Sequence, residues 1–141
     1  ALRAGVTFAK PSRREFESLV GRPLNVKELA SAAAEWVGLG WVEVLVVSLG
    51  AAGAILATRQ GVHYAAPPPV STASSVGAGD SLVAGVLTAL SRGDSTLEAF
   101  RIGVAAGTAA LLRSGTEPCK RSEVERLMPE VRPEPVSLDQ R

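Results

Sequence analysis

Apolar positions along this chain fall into two rhythms. VTFA, Val6 to Ala9, and VEVLVVS, Val42 to Ser48, are nearly unbroken apolar runs. The central VLVV has no polar alternation, the pattern of a strand covered on both faces, as in a parallel sheet. Elsewhere the spacing is helical. SRREFESLVG places Ser12 at an N-cap, Glu15 three residues on as a capping box, and Gly21 at the C-terminal stop. A second helix, about Val26 to Val37, puts Leu29, Ala33, Trp36 and Val37 on one face and ends near Gly38 and Gly40. After SLGAAG the pattern predicts a hairpin of about Ala54 to Thr58 and Val62 to Ala65. APPPVSTASS is an extended connector, because its prolines fix φ and remove donors. Two long helices follow, about Ala78 to Ser91 and Leu97 to Arg113, with Gly93 as a stop and Ser95 or Thr96 as a cap. A last helix is expected from Ser122, with Glu125 completing a capping box, and a Pro-rich, frayed tail from Pro129. Strands mixed with helices, one of them apolar on both faces, point to a layered α/β sheet.

Composition narrows the function classes. A length of 141 residues, 46% hydrophobic and 21% charged, is that of one ordinary globular domain. Fifteen basic against fourteen acidic residues leave +1, so no broad basic field attracts nucleic acid or an anionic membrane. The single cysteine, Cys119, cannot form an internal disulfide, and the lone His63 offers no zinc cluster. A reducing cytoplasm fits. No apolar run reaches the roughly 18 residues of a membrane span, and no signal-peptide pattern opens the chain. The opening ALRAGVTFAKP has no initiating Met and reads as a helix end running into a strand. A cut chain is the expectation.

The chemistry centres on VGAGDS. Gly77 and Gly79 permit torsions and close approaches that a side chain would block, and the following helix brings free N–H groups and a positive dipole end. No Lys-Ser or Lys-Thr pair closes a P-loop, and Leu82 breaks GxGxxG. Asp80 then has two readings. It is a first-turn acid that favours the dipole, or a base that accepts a proton from an attacking hydroxyl while N–H groups stabilise the transferring phosphoryl. SLGAAG, Ser48 to Gly53, leaves the carboxyl end of the buried strand, where α/β sheets put ligands; taken alone, a tight strand-to-strand turn is the favoured explanation. GVAAGTAALL carries a strip of small residues suited to an adenine or to close helix packing. Lys10 ends a strand and is either a phosphate contact or a solvated lysine. Glu15 is explained by its capping box, Arg13 and Arg14 by an exposed helix face, and His63 by a surface position.

Taken in order, KPSRREFESLVGRPL, VLVVSLGAAGAILAT, APPPVSTASSVGAGDSLVAG and RIGVAAGTAALLRSGT resemble the ribokinase-like, or PfkB, family of carbohydrate kinases, over about Ala1 to Met128. Within it, KPS with its following Glu15, Ser-Leu-Gly, and PPPV ahead of the loop look most like the sugar-phosphate kinases: minor-type 6-phosphofructokinases, 1-phosphofructokinases and tagatose-6-phosphate kinases. The resemblance implies a three-layer α/β/α sandwich, with residues 1–128 the C-terminal, nucleotide-binding portion of the kinase domain and 129–141 a tail. It implies that Asp80 is the catalytic base and that Gly77, Ala78 and Gly79 supply the anion hole. Ser48, Leu49, Gly50, Ala51, Ala52 and Gly53 would line the ATP site, with Lys10, Ser12 and Thr108 near the nucleotide. Glu15 would influence Mg2+ through water. Positions Ser74, Val76, Ala110, Arg113 and Gly115 would hold a monovalent cation, K+. The implied enzyme of carbohydrate metabolism, glycolysis included, is a cytoplasmic homodimer acting on ATP and a sugar phosphate, with no nucleic-acid or membrane partner.

Two features depart from the family pattern. The family's Asn-x-x-Glu stands here as Ser12-Arg13-Arg14-Glu15, a hydroxyl replacing an amide near the phosphates. Family members are also longer, and their other half carries most sugar-binding residues and the lid. A truncated, non-catalytic nucleotide-binding fragment is therefore the competing reading.

Overall fold

The computed structural model describes residues 6–69, 78–112 and 121–138. Its strands form one sheet in the order β1 (Val6–Ala9), β2 (Val42–Ser48), β3 (Ala54–Thr58), β4 (Gly61–Ala65) and β5 (Glu134–Pro135). β1 and β2 run parallel, with Val6 opposite Val42 and Ala9 opposite Leu45. β2 and β3 run antiparallel, with Val46 opposite Leu56 and Ser48 opposite Ala54. The parallel sheet expected from VLVV is thus a mixed one. What VLVV reported correctly was burial: Leu45, Val46 and Val47 are inaccessible, and so is most of β3. A central strand reads the same from sequence whichever way its neighbour runs.

By its contacts the chain divides into two compact units, Ala1–Tyr64 with Glu134–Arg141, and Ala65–Pro133. In the first, helices α1 (Arg13–Val20) and α2 (Val26–Gly38) accompany the sheet. Both begin with a capping box. Ser12 and Glu15 form the first, and Asn25 and Glu28 the second, each side chain bonded to the other's backbone N–H. Gly21 closes α1 in the left-handed region at φ 98°, donating to the Glu17 carbonyl. The apolar face of α2 meets β2 and β3 in a cluster containing Leu29, Ala33, Leu45, Val47 and Ile55. Phe16 and Trp36 form a tilted ring pair within it, with centroids 4.7 Å apart, and Trp41 extends it edge-on to Trp36 at 5.7 Å. Arg13 belongs only partly to an exposed face, because its guanidinium donates to the Leu24 carbonyl at 2.6 Å and so ties the α1–α2 connection to the helix.

The second unit packs helix α3 (Ala78–Ser91) along α4 (Thr96–Leu111), with α5 (Arg121–Leu127) against α4. Gly93, at φ 92°, turns the chain out of α3, and the Asp94 N–H returns to the Ala89 carbonyl at 3.0 Å. Ser95 then caps α4, accepting from the Glu98 N–H. The small residues of α4 face α3. A Cβ added to Gly103 would lie 2.5 Å from Val86 Cγ2 and 2.9 Å from the Leu82 carbonyl oxygen. Close packing is therefore what this part of the strip does. Gly103→Ala is expected to destabilise by about 1–3 kcal/mol through overpacking, despite alanine's better helix propensity. Thermal melting checks it; an unchanged or higher Tm would contradict the close approach.

Three local expectations are corrected. The last helix starts at Arg121, so Ser122 lies inside it, and Glu125 accepts from the Arg121 guanidinium at 3.0 Å rather than completing a box. The tail is not frayed through residue 138. Val131 is buried, and the Arg101 guanidinium donates to the Val131 and Met128 carbonyls at 2.9 and 2.7 Å. β5 then pairs with β4, and the Val136 N–H reaches the Val62 carbonyl at 2.9 Å. His63 lies opposite Pro135, half-buried, with Nδ1 enclosed and lacking a hydrogen-bond partner among the described residues. No helix among the described residues is long and apolar enough to cross a membrane.

Candidate functional site

A parallel pair puts the carboxyl ends of both strands side by side. The KPS and SLG segments, 38 positions apart when counted from Lys10 to Ser48, therefore leave the sheet at one place. The contact is direct: the Ser48 N–H donates to the Pro11 carbonyl at 3.1 Å, and Ser12 and Ser48 form an isolated parallel bridge. This is the end of an α/β sheet where ligands bind.

Lys10, Ser12 and Glu15 cluster at the entry to α1. The Ser12 hydroxyl accepts from the Glu15 N–H at 3.2 Å, while Glu15 Oε1 accepts from the Ser12 N–H at 2.8 Å. The Ser12 side chain is therefore engaged as a cap. Glu15 is exposed and keeps its second carboxylate oxygen clear of the box, which suits contact with a hydrated cation. Lys10 is half-buried and close enough to act on Glu15 electrostatically.

Both box glutamates have carboxyls held below the ordinary glutamate value. For Glu15 the Ser12 backbone N–H is the main cause, followed by its side chain, with Lys10 adding a smaller pull in the same direction. For Glu28 the Asn25 backbone N–H leads, followed by the Arg22 side chain. A depressed folded-state value means that the stabilisation is present above the unfolded value and disappears as pH falls through the folded one. In an NMR titration the two carboxyl carbons are expected to shift at lower pH than glutamate in an unstructured peptide. Titration at the peptide value would contradict the boxes.

Beyond Ser48 the chain forms a tight turn into β3. Leu49 is nearly buried, and Gly50–Ala52 make one 3₁₀ turn whose residues are exposed. The Leu49 N–H donates to the Gly53 carbonyl at 2.8 Å. Gly50 sits at φ 62°, and Gly53 at φ 108°, ψ −140°, near a region essentially reserved for glycine. The strand-to-strand turn is thus real, and it presents an exposed backbone at the ligand end of the pair. The Tyr64 hydroxyl of β4 donates to the Ala52 carbonyl. Sequence reading did not single out Tyr64, since nothing in its local pattern announces a bond across 12 positions.

In the second unit Asp80 is the third residue of α3 and is exposed, at the helix end where unpaired N–H groups concentrate. Ala78 and Gly79 are half-buried in the same turn. Thr108 is buried at 2% exposure, its hydroxyl donating to the Val104 carbonyl at 2.8 Å. Ala110 is buried in α4. Gly77, Ser74, Val76, Arg113 and Gly115 lie outside the described residues.

With this geometry in view, the comparisons with known proteins are specific. The model of the pfkB family carbohydrate kinases matches residues 1–123. An ATP-dependent 6-phosphofructokinase isozyme 2 from Mycobacterium tuberculosis is 44% identical over 140 residues, covering 99% of this chain and 41% of that protein. A 1-phosphofructokinase from Escherichia coli K12 is 35% identical over 131 residues, 92% of this chain and 42% of its own length. Among solved structures, phosphofructokinase-2 from Escherichia coli in complex with potassium superposes with a TM-score of 0.87 at 36% identity, covering 92% of this chain and 43% of the other. The fold is the ribokinase-like one that the motifs implied. The chain spans less than half the length of these relatives.

Proposed function

The chain belongs to the pfkB family of carbohydrate kinases, and from that premise we propose that it supplies the nucleotide-binding portion of an ATP-dependent sugar-phosphate kinase. The observation that carries the reading is the Ser48 N–H bond to the Pro11 carbonyl, which brings two distant motifs together at the carboxyl end of β1 and β2. Lys10, Ser12 and the turn from Ser48 to Gly53 hold ATP, and the family resemblance assigns Thr108 to the nucleotide as well. Asp80 takes the proton of a sugar hydroxyl as its oxygen bonds to the γ-phosphorus. The bond to the β,γ-bridging oxygen breaks and ADP leaves, while backbone N–H groups of Gly77, Ala78 and Gly79 stabilise the transferring charge. Magnesium, when bound, would neutralise phosphate charge, and Glu15 would act on it through water.

We assign residues 1–128 to this portion and 129–141 to a C-terminal segment, which β5 joins to β4. The potassium in the Escherichia coli relative supports a bound monovalent cation, which this reading assigns to Ser74, Val76, Ala110, Arg113 and Gly115. The reading includes a cytoplasmic homodimer. The strength of the match to an isozyme-2 phosphofructokinase favours fructose 6-phosphate as acceptor over fructose 1-phosphate or tagatose 6-phosphate. Comparing kcat/KM for the three acceptors in an enzyme of full family length tests the assignment. The highest value is expected for fructose 6-phosphate, and a higher value for fructose 1-phosphate would move the enzyme to the other branch.

A further inference from the structure

The turn between β2 and β3 has a support that the expected nucleotide contacts do not include. Glycines at positions 50 and 53 let the chain adopt this turn, and they equally let it adopt others. The internal bonds from Ala52 and Gly53 N–H groups to the Leu49 and Gly50 carbonyls, 3.2 Å each, are long for backbone hydrogen bonds. The Leu49 N–H bond to the Gly53 carbonyl, at 2.8 Å, closes the ends of the turn, and its middle depends on what holds it from outside.

Tyr64 does so. Its half-buried ring packs against the apolar cluster of the first unit, and its hydroxyl donates to the Ala52 carbonyl. β4 is itself held from its other edge. Tyr64 stands opposite Glu134 of β5, and the Val136 N–H donates to the Val62 carbonyl. A fixed framework thus delivers the hydroxyl to the middle of a glycine-flanked turn.

We propose that Tyr64 is a positioning residue for nucleotide binding, its hydroxyl holding the Ala52 carbonyl and so fixing the Gly50–Ala52 turn in the conformation that receives ATP. This rests on reading the turn as a nucleotide contact. Pre-ordering the turn removes an entropy loss that ATP binding would otherwise incur. The effect falls on ATP, and the sugar phosphate is indifferent to it.

Calorimetric titration with Mg·ATP of the enzyme of full family length, unsubstituted and as Tyr64→Phe, tests the role. Phenylalanine keeps the ring and deletes only the donor. The Kd for ATP is expected to rise about three- to tenfold, the range of one ordinary hydrogen bond. The melting temperature without nucleotide and the KM for fructose 6-phosphate are expected to stay unchanged. Tyr64→Leu, which also loses the ring, should lower both melting temperature and ATP affinity. Equal ATP affinity for Tyr64→Phe and the unsubstituted enzyme overturns the role, as does a loss that merely tracks a lower melting temperature. If the unsubstituted enzyme itself binds no ATP, the nucleotide reading of the turn falls, and the role with it. If it binds ATP and the Phe variant binds equally, only Tyr64 is exonerated.

Discussion

Asp80→Asn in the enzyme of full family length is expected to lower phosphoryl transfer by about 10²–10⁴-fold, the usual worth of a positioned general base. ATP binding is expected to persist. Asparagine keeps the shape and the capacity to accept a hydrogen bond, and it loses the negative charge and with it the ability to take the proton. This separates the two readings that the sequence left open. A first-turn acid with no further task would cost about 0.3–1 kcal/mol of helix stability and leave turnover intact. Exposure of Asp80 in the first turn of α3 is compatible with both roles. Steady-state rates at saturating ATP and sugar phosphate, beside a calorimetric ATP titration, decide between them. Turnover near that of the unsubstituted enzyme would remove Asp80 from the base role.

The 141-residue chain by itself is expected to show no sugar-phosphate kinase turnover above background. It covers 41% of the Mycobacterium tuberculosis relative, and the family resemblance assigns most sugar-binding residues to the remainder. Without an acceptor site the hydroxyl arrives by collision. Holding both reactants in place is worth effective molarities of about 10⁵–10⁸ M, so the rate is expected to fall by at least about 10⁵-fold. ADP release with fructose 6-phosphate and Mg·ATP measures it, and robust turnover by the chain alone would overturn the division of labour. The KPS and SLG segments of the first unit, by contrast, are brought together within the chain by the Ser48 N–H bond to the Pro11 carbonyl.

Much of this was legible in the sequence wherever the determinants are local. Ser12, Glu15 and Gly21 bracket α1 as their side-chain chemistry requires, and α3 runs from Ala78 to Ser91 as its spacing indicated. The Asn25 and Glu28 box is the same signal and was equally readable. What escaped was long-range. The direction of β3 against β2 is set by the turn at Gly50 and Gly53, and burial on both faces carries no record of direction. β5 is a two-residue strand ending in proline, too short to leave a periodic trace, yet it pins the tail to β4. Tyr64 was silent for the same reason, its one telling contact lying across the sheet. The two explanations of SLGAAG were offered as rivals, and the structure makes the first compatible with the second: a tight turn between strands whose exposed backbone lies at the ligand end of a parallel pair.

The most direct test of phosphoryl transfer from ATP to a sugar hydroxyl is ³¹P NMR of the enzyme of full family length incubated with Mg·ATP and fructose 6-phosphate. A new phosphomonoester resonance, growing one-for-one with ADP, is the predicted result. ADP accompanied only by inorganic phosphate, or no ADP at all with any of the three sugar phosphates, would contradict the account.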